Sequence, residues 1–268
     1  MTNRKPPTVA DILANKGKHQ YAKLRVTTWD ELAAAEAAGI ELCSVPPEML
    51  ESPRFREVAP SVFAIPGMAL WELDGPTDDA LRWAFRMVRA GANAVYCAAS
   101  FQTVRRMADE GIPVIGHVGL IPHTCTWTGG FKAVGKTAES AMKVFERVKR
   151  YEEAGAFGLE IEVMPPDIAA EISRRTPLFM ISMGSGSDCD ANYLFAEDVL
   201  GENRGHVPKH AKIYRNFAAE YDRLQAERIA AFREFRQDVE SRAFPEPAQA
   251  VKSVPGELER FREMLAAG

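Results

Sequence analysis

The sequence predicts an α/β fold in which eight parallel strands close into a barrel, and three observations carry that expectation. Helix-glycine-strand junctions recur at Gly39, Gly91, Gly111 and Gly155. At each, glycine stands where a helix wants a left-handed cap, and an apolar run follows at once. Such short connections, repeated along a chain, favour parallel strands joined by right-handed crossovers. The strand-like runs number about eight, the count of an α/β barrel. A length of 268 residues also suits one barrel of about 250 residues better than two small domains. An open doubly wound sheet would show the same rhythm and stands as the alternative, since strand order is invisible at this level. No G-x-G-x-x-G follows the first strand and no Walker loop is present, so a nucleotide fold has no support.

In chain order, residues 8–17 read as a short helix capped by Thr8, and residues 21–26 as the first strand. Thr28 with Glu31 forms a capping box that opens a helix through Ala38, and residues 40–45 follow as a strand. A strand near residues 62–65 precedes a helix over 77–90, with Leu81, Phe85 and Val88 on one stripe. The alternation continues with a strand at 93–97, a helix at 100–110, a strand at 112–117 and a helix at 137–154. Residues 157–164 form the next strand, 167–175 a helix, 177–182 a strand and 193–195 the last strand. After Gly205 the pattern changes. Residues 213–243 read as a charge-laced helix with Ile213, Phe217, Tyr221 and Leu224 at helical spacing, placed as a cap over the barrel or a subunit contact. The expected organisation is therefore one barrel domain over 1–268, with 205–268 as a C-terminal helical extension.

Bulk properties exclude several classes. A net charge of −4 and a pI near 5.8 argue against nucleic-acid binding, which calls for a basic face. No apolar run reaches the ~18–20 residues of a membrane span, and residues 1–7 lack the apolar core of a signal peptide. Cys43, Cys97, Cys125 and Cys189 show no paired short spacing, so neither a disulfide framework nor a zinc ribbon is indicated. A cytoplasmic protein without membrane or nucleic-acid partners is the expectation.

The stretch that concentrates chemistry is Phe157-Gly-Leu-Glu-Ile-Glu-Val-Met-Pro-Pro166. Glu160 and Glu162 lie two apart, so on a strand they point to one side. Acids near a strand's carboxyl end are how an α/β barrel presents a catalytic group, and a solvent-facing strand is the plain alternative. Glu160 is open to two readings: a second acid/base group, since like charges on one face raise one pKa, or a salt-bridge partner to a neighbouring strand or loop. His117, His123 and Cys125 with Glu162 raise the option of a relocated transition-metal site, although His-x5-His-x-Cys matches no common zinc spacing. Cys43 and Cys97 read as small core residues. The glycines at 129–130 and 184–186 suit tight turns or close approach to a ligand. Trp71 and Trp127 read as packing or pocket-lining residues.

The run Gly111-Ile-Pro-Val-Ile-Gly-His-Val-Gly-Leu-Ile-Pro122 resembles ketopantoate hydroxymethyltransferase, and the similarity extends over Gly129–Lys136, Leu159–Pro165, Gly184–Asp190 and Pro208–His210. The resemblance implies a barrel of the phosphoenolpyruvate mutase and isocitrate lyase type with C-terminal helices, and a homo-oligomer. The family adds a one-carbon unit from methylenetetrahydrofolate to 2-oxoisovalerate, with a divalent metal polarising the oxo acid. By resemblance Glu162 takes the place of the family base, and His117 that of the histidine beside the bound oxo acid; both are candidate catalytic residues, His117 as a hydrogen-bond donor to developing oxyanion charge. Glu160, Gly184, Ser185, Tyr96 and Glu48 are the candidate substrate-binding residues. The metal-site acids of the family are replaced: Pro47 stands in one aspartate position, Ala64-Ile-Pro-Gly-Met68 spans another, and Tyr96 and Ala98 replace the substrate lysine and a further acid. The expectation is an enzyme acting by general-base chemistry on a small carbonyl or carboxylate compound, with no metal or other cofactor. The alternative is a catalytically silent metabolite-binding or assembly homologue.

Overall fold

The computed structural model describes residues 4–67 and 77–268. The chain divides into two compact units, Met1–Arg215 and Asn216–Gly268. The first holds eight strands: β1 (Tyr21–Arg25), β2 (Leu42–Val45), β3 (Phe63–Pro66), β4 (Val95–Tyr96), β5 (Val114–Gly119), β6 (Gly158–Glu162), β7 (Phe179–Met183) and β8 (Ala191–Phe195). They hydrogen-bond in the order β3-β2-β1-β8-β7-β6-β5-β4, each pairing parallel. The first and last strands are neighbours, Lys23 facing Tyr193 in register. A parallel bridge from Gly67, just past β3, to Tyr96 of β4 joins the two ends of the sheet. The sheet is therefore a nearly closed barrel, and the open doubly wound alternative falls.

The local signals act as their chemistry requires. Thr8 and Thr28 make reciprocal capping boxes at the helices Val9–Ala14 and Trp29–Ala38. Ser100 and Thr137 cap Phe101–Asp109 and Ala138–Glu153 through their hydroxyls. The four junction glycines all adopt positive φ. The helix Thr77–Arg89 corrects the predicted stripe: Ala80, Ala84 and Met87 are buried, Leu81 and Phe85 only flank the core, and Val88 is exposed. The two alanines turn the face without bulk toward the sheet, so the packed seam lies beside the larger side chains. Pro47–Leu50, Arg54–Val58, Ala196–Leu200 and the 3-10 turn Pro122–Thr128 are too short to show a period, and the sequence does not reveal them.

Strand alternation creates two apolar regions. Outward residues such as Leu159, Ile161 and Met180 pack under the helices with Leu32, Phe55, Met107 and Tyr151. Inward residues Tyr21, Phe63, Ile115, Phe179 and Ile181 fill the lower barrel together with Ile12 of the first helix. The Tyr21 and Phe179 rings meet edge to face at 5.5 Å. This apolar floor leaves the upper interior, toward the strands' carboxyl ends, for polar groups.

The second unit is described by itself. It contains the helices Phe217–Ser241, capped by Asn216, and Glu257–Ala267, and neither has a buried residue. No helix among the described residues is long and apolar enough to cross a membrane.

Candidate active site

On β6, Leu159 and Ile161 turn outward, so Glu160 and Glu162 turn into the barrel, where they are 4% and 8% exposed. A carboxylate that deep requires a partner. Glu160 Oε1 accepts from Lys23 Nζ of β1, a lysine that is itself 1% exposed. The same ammonium lies 4.0 Å from the centroid of the Tyr193 ring on β8. His117 stands opposite Glu160 in the β5–β6 ladder. Its Nδ1 is 3.5 Å from Glu160 Oε2 and 2.9 Å from the Tyr96 hydroxyl, while its Nε2 is 3.1 Å from Glu162 Oε2 and 2.7 Å from the Leu120 carbonyl. Because Nε2 faces two acceptors, it carries a proton in either charge state of the ring. The result is an alternating chain of charge: Lys23, Glu160, His117, Glu162.

This arrangement sets the protonation states. Burial alone would push the His117 pKa down, but hydrogen bonds to Glu160 and Glu162 and their charges more than offset it, and the pKa rises to about 9. Burial likewise pushes Glu160 up, yet Lys23 and His117 together bring its pKa below the usual value. The expectation that two neighbouring carboxylates would force one pKa upward is thus corrected for Glu160, because a cation stands on each side of it. Burial, aided by the Glu160 charge, keeps the hydroxyls of Tyr96 and Tyr193 protonated.

The backbone just past Glu162 is bent. Val163 adopts φ +47°, a left-handed conformation costly for a β-branched residue. Hydrogen bonds hold it there, from Val163 N to Met183 O at 2.8 Å and from Val134 N to Val163 O at 3.1 Å. Ser185 reinforces the bend, donating to Ile161 O at 2.9 Å and accepting from Met164 N at 3.0 Å. Gly119 lies across the ladder from Glu162 with φ +86°, and a Cβ there would sit 2.3 Å from the Glu162 carbonyl oxygen. That close approach allows Leu120 N to donate to the Glu162 carbonyl and brings the Leu120 carbonyl onto His117.

Of the residues singled out from the sequence, the fold gathers Glu162, His117, Glu160 and Tyr96. Ser185 lies behind the strand end, with its hydroxyl engaged by backbone on both sides. Gly184 lies against the His210 ring, which an added Cβ would meet at 2.7 Å. Glu48 is exposed on Pro47–Leu50. Cys43 and Cys97 are buried, which pushes their thiols up to about 12 and about 11. Lys23 and Tyr193 are the members that sequence reasoning missed; the available signal was the alternation Tyr21, Lys23, Arg25, which sets a charge on the inward phase of a buried strand.

A divalent cation, which the family chemistry implies, needs oxygen donors. The described residues at the relevant strand ends, Ser44–Pro47, Pro66–Gly67 and Tyr96–Ala98, carry no carboxylate. No group of three or more His, Cys, Asp or Glu among the described residues is placed to hold a metal ion, and this includes His117, His123 and Cys125. Met68, Trp71, Glu72 and Asp74 lie outside the described residues. The described residues do not fit the cation.

A sequence model of the family described as ketopantoate hydroxymethyltransferase matches residues 54–247. The chain belongs to this family. Its relatives include the 3-methyl-2-oxobutanoate hydroxymethyltransferase of Cenarchaeum symbiosum, 38% identical over 186 residues that cover 68% of each chain. The enzyme of the same name from Kosmotoga olearia is 29% identical over 267 residues, covering 91% of this chain and 97% of its own. Among solved structures, 2,3-dimethylmalate lyase, a PEP mutase/isocitrate lyase superfamily member, aligns at TM-score 0.50 and 13% identity over 98% of this chain and 99% of its own. Phosphonopyruvate hydrolase in complex with oxalate and Mg++ aligns at TM-score 0.50 and 16% identity, over 97% and 98%. These structural likenesses agree with the barrel seen here. His117 and Glu162, the two residues to which the resemblance gives family roles, both lie in the buried charge chain.

Proposed function

We propose that this family member is a transferase or lyase that makes or breaks a carbon–carbon or related bond beside the carbonyl of a small oxo acid, with Glu162 as general base and without a metal at the family position. The observation that supports this reading is the Glu162 carboxylate, held at the carboxyl end of β6 by His117 Nε2 at 3.1 Å. Glu162 takes the proton from the carbon next to the carbonyl, and the C–H electron pair moves into an enolate. That carbon then attacks an electrophile or, in the reverse direction, is released and reprotonated. Both ring nitrogens of His117 are engaged, so in place of the oxyanion donation expected from the sequence it acts through Glu162 as a positioning residue and lends positive charge to the site. Lys23 and Glu160 hold His117 in turn.

The test is exchange of solvent deuterium into the carbon acid, followed by NMR, on small 2-oxo acids beginning with 3-methyl-2-oxobutanoate, the compound in the relatives' names. Exchange that survives a chelator and falls by roughly 10²–10⁴-fold in Glu162→Gln supports the proposal. Exchange indifferent to Glu162→Gln, or abolished by the chelator, overturns it. One observation favours the rival reading of a silent homologue: the four charges already satisfy one another. A folded protein that shows no exchange with any oxo acid would decide for that reading.

A further inference from the structure

A cavity of about 750 Å³ lies beyond the carboxyl ends of β4 and β5. It touches Gly119, the residue across the ladder from Glu162, and Ser100, and is bounded by the 3-10 turn and one face of Ala138–Glu153. Lys143 and Arg147 enter from that face, one helical turn apart. Among the described residues, no acidic side chain lines the cavity. Like charges at i, i+4 weaken a helix, so their juxtaposition brings no local gain. Neither belongs to the ion pairs found among the described residues, although the chain as a whole is acidic at −4. The Arg147 guanidinium lies 5.2 Å from the Phe101 ring centroid and beside the Tyr151 hydroxyl, whose pKa it helps to hold down against burial, and its Nε is buried with no hydrogen-bond partner other than that hydroxyl. A guanidinium fixed against an aromatic ring with donors to spare is suited to a two-oxygen anion. His123 is also in the lining, and burial together with the charges of His117 and Arg147 keeps its ring neutral. Trp127, 90% exposed, stands at the rim.

We propose that this cavity binds the oxyanion group, carboxylate or phosphate, of a small organic ligand, with Arg147 as the bidentate partner and Lys143 as the second charge. The proposal deepens the functional reading by making the substrate an anion anchored beside Glu162, and only that placement rests on the reading; anion binding itself needs no base.

The experiment titrates the full-length chain with inorganic phosphate and with 3-methyl-2-oxobutanoate at constant ionic strength, following tryptophan fluorescence and the thermal midpoint. Saturable binding of at least one anion is expected, equal or tighter in Glu162→Gln, where a neighbouring negative charge is removed, and weakened roughly tenfold or more in Arg147→Met. Arg147→Lys should keep part of the affinity. Lys143→Met, a change at an exposed residue that leaves the fold alone, should weaken binding as well. Binding of phosphate only or of the oxo acid only identifies the anion, and either result supports the site. Absence of saturable binding by both, or binding unchanged in both Arg147→Met and Lys143→Met, overturns it. Binding with failed exchange would sink the base chemistry alone.

Discussion

Replacing Lys23 with methionine tests the charge chain at its root. The Lys23 and Glu160 side chains are 0% and 5% exposed, so the ammonium cannot be replaced by water. Removing one partner of a buried pair costs about 3–5 kcal/mol, because a buried charge is left behind. Here the remaining contact, His117 at 3.5 Å, and proton uptake by Glu160 place the cost near the lower end, about 3 kcal/mol. Methionine keeps most of the lysine stem, so the packing loss is small. At about 2–4 °C per kcal/mol for a chain of this size, the thermal midpoint should fall by roughly 10 °C. Changing both Lys23 and Glu160 to methionine removes charge and countercharge together, and such apolar replacements are often neutral. The double variant should therefore recover about 2 kcal/mol relative to Lys23→Met. Urea unfolding with m-values measures both, and a single-variant cost below about 1 kcal/mol, or no recovery in the double, would refute the argument.

The pH dependence follows from the same groups. His117 titrates higher in the folded chain, about 9 against 6.5, so its contribution is complete below pH 6.5 and is lost as pH rises through about 9. That loss is on the order of 3 kcal/mol. Glu160 is shifted the other way, so its contribution is present above its ordinary 4.5 and is lost as pH falls through its lower folded value. Stability should thus be greatest between about 4.5 and 6.5 as far as these two groups decide it, and Glu160→Gln should flatten the alkaline limb; unfolding midpoints across pH 4–10 would show either result. Gly119→Ala should cost more than about 2 kcal/mol, since a Cβ 2.3 Å from a backbone oxygen forces β5 and β6 apart; a midpoint within 2 °C of wild type contradicts the geometry. Val163→Gly should leave stability equal or raise it by about 1 kcal/mol, strain relief outweighing added chain entropy, and a loss of that size would show that Val163 is not strained. Purified protein given magnesium or cobalt should retain well under one equivalent, and conversion of 3-methyl-2-oxobutanoate with methylenetetrahydrofolate should be undetectable; stoichiometric metal would point to Glu48, Glu72 or Asp74 as donors.

Much of the barrel is legible because each of its signals is local. A threonine three residues before an acid, a glycine after the last helical turn and an alternating apolar run each act within about one turn of chain, so Thr28, Gly39 and Leu159–Ile161 announce their elements unaided. The stripe on Thr77–Arg89 misleads for a related reason: hydrophobicity marks Phe85 and Val88, whereas close packing under the sheet selects the small side chains Ala80 and Ala84.

The site divides along the same line. That Glu160 and Glu162 share a face follows from the two-residue period of a strand, and that face is where both are found. What they meet there depends on closure. Lys23 precedes Glu160 by 137 positions, and only a sheet that wraps round sets β1 across the lumen from β6. No pattern in residues 157–166 contains that cation, so the like-charge argument sees two acids and predicts repulsion. With Lys23 and His117 interleaved, the same two acids become members of a balanced chain, and the one nearer the barrel mouth is held by an imidazolium rather than opposed by its neighbour. The base role proposed for Glu162 draws its support from that position: Glu160 has a cation on either side, whereas Glu162 has His117 on one side and the strands' carboxyl end, where α/β barrels place their active sites, on the other.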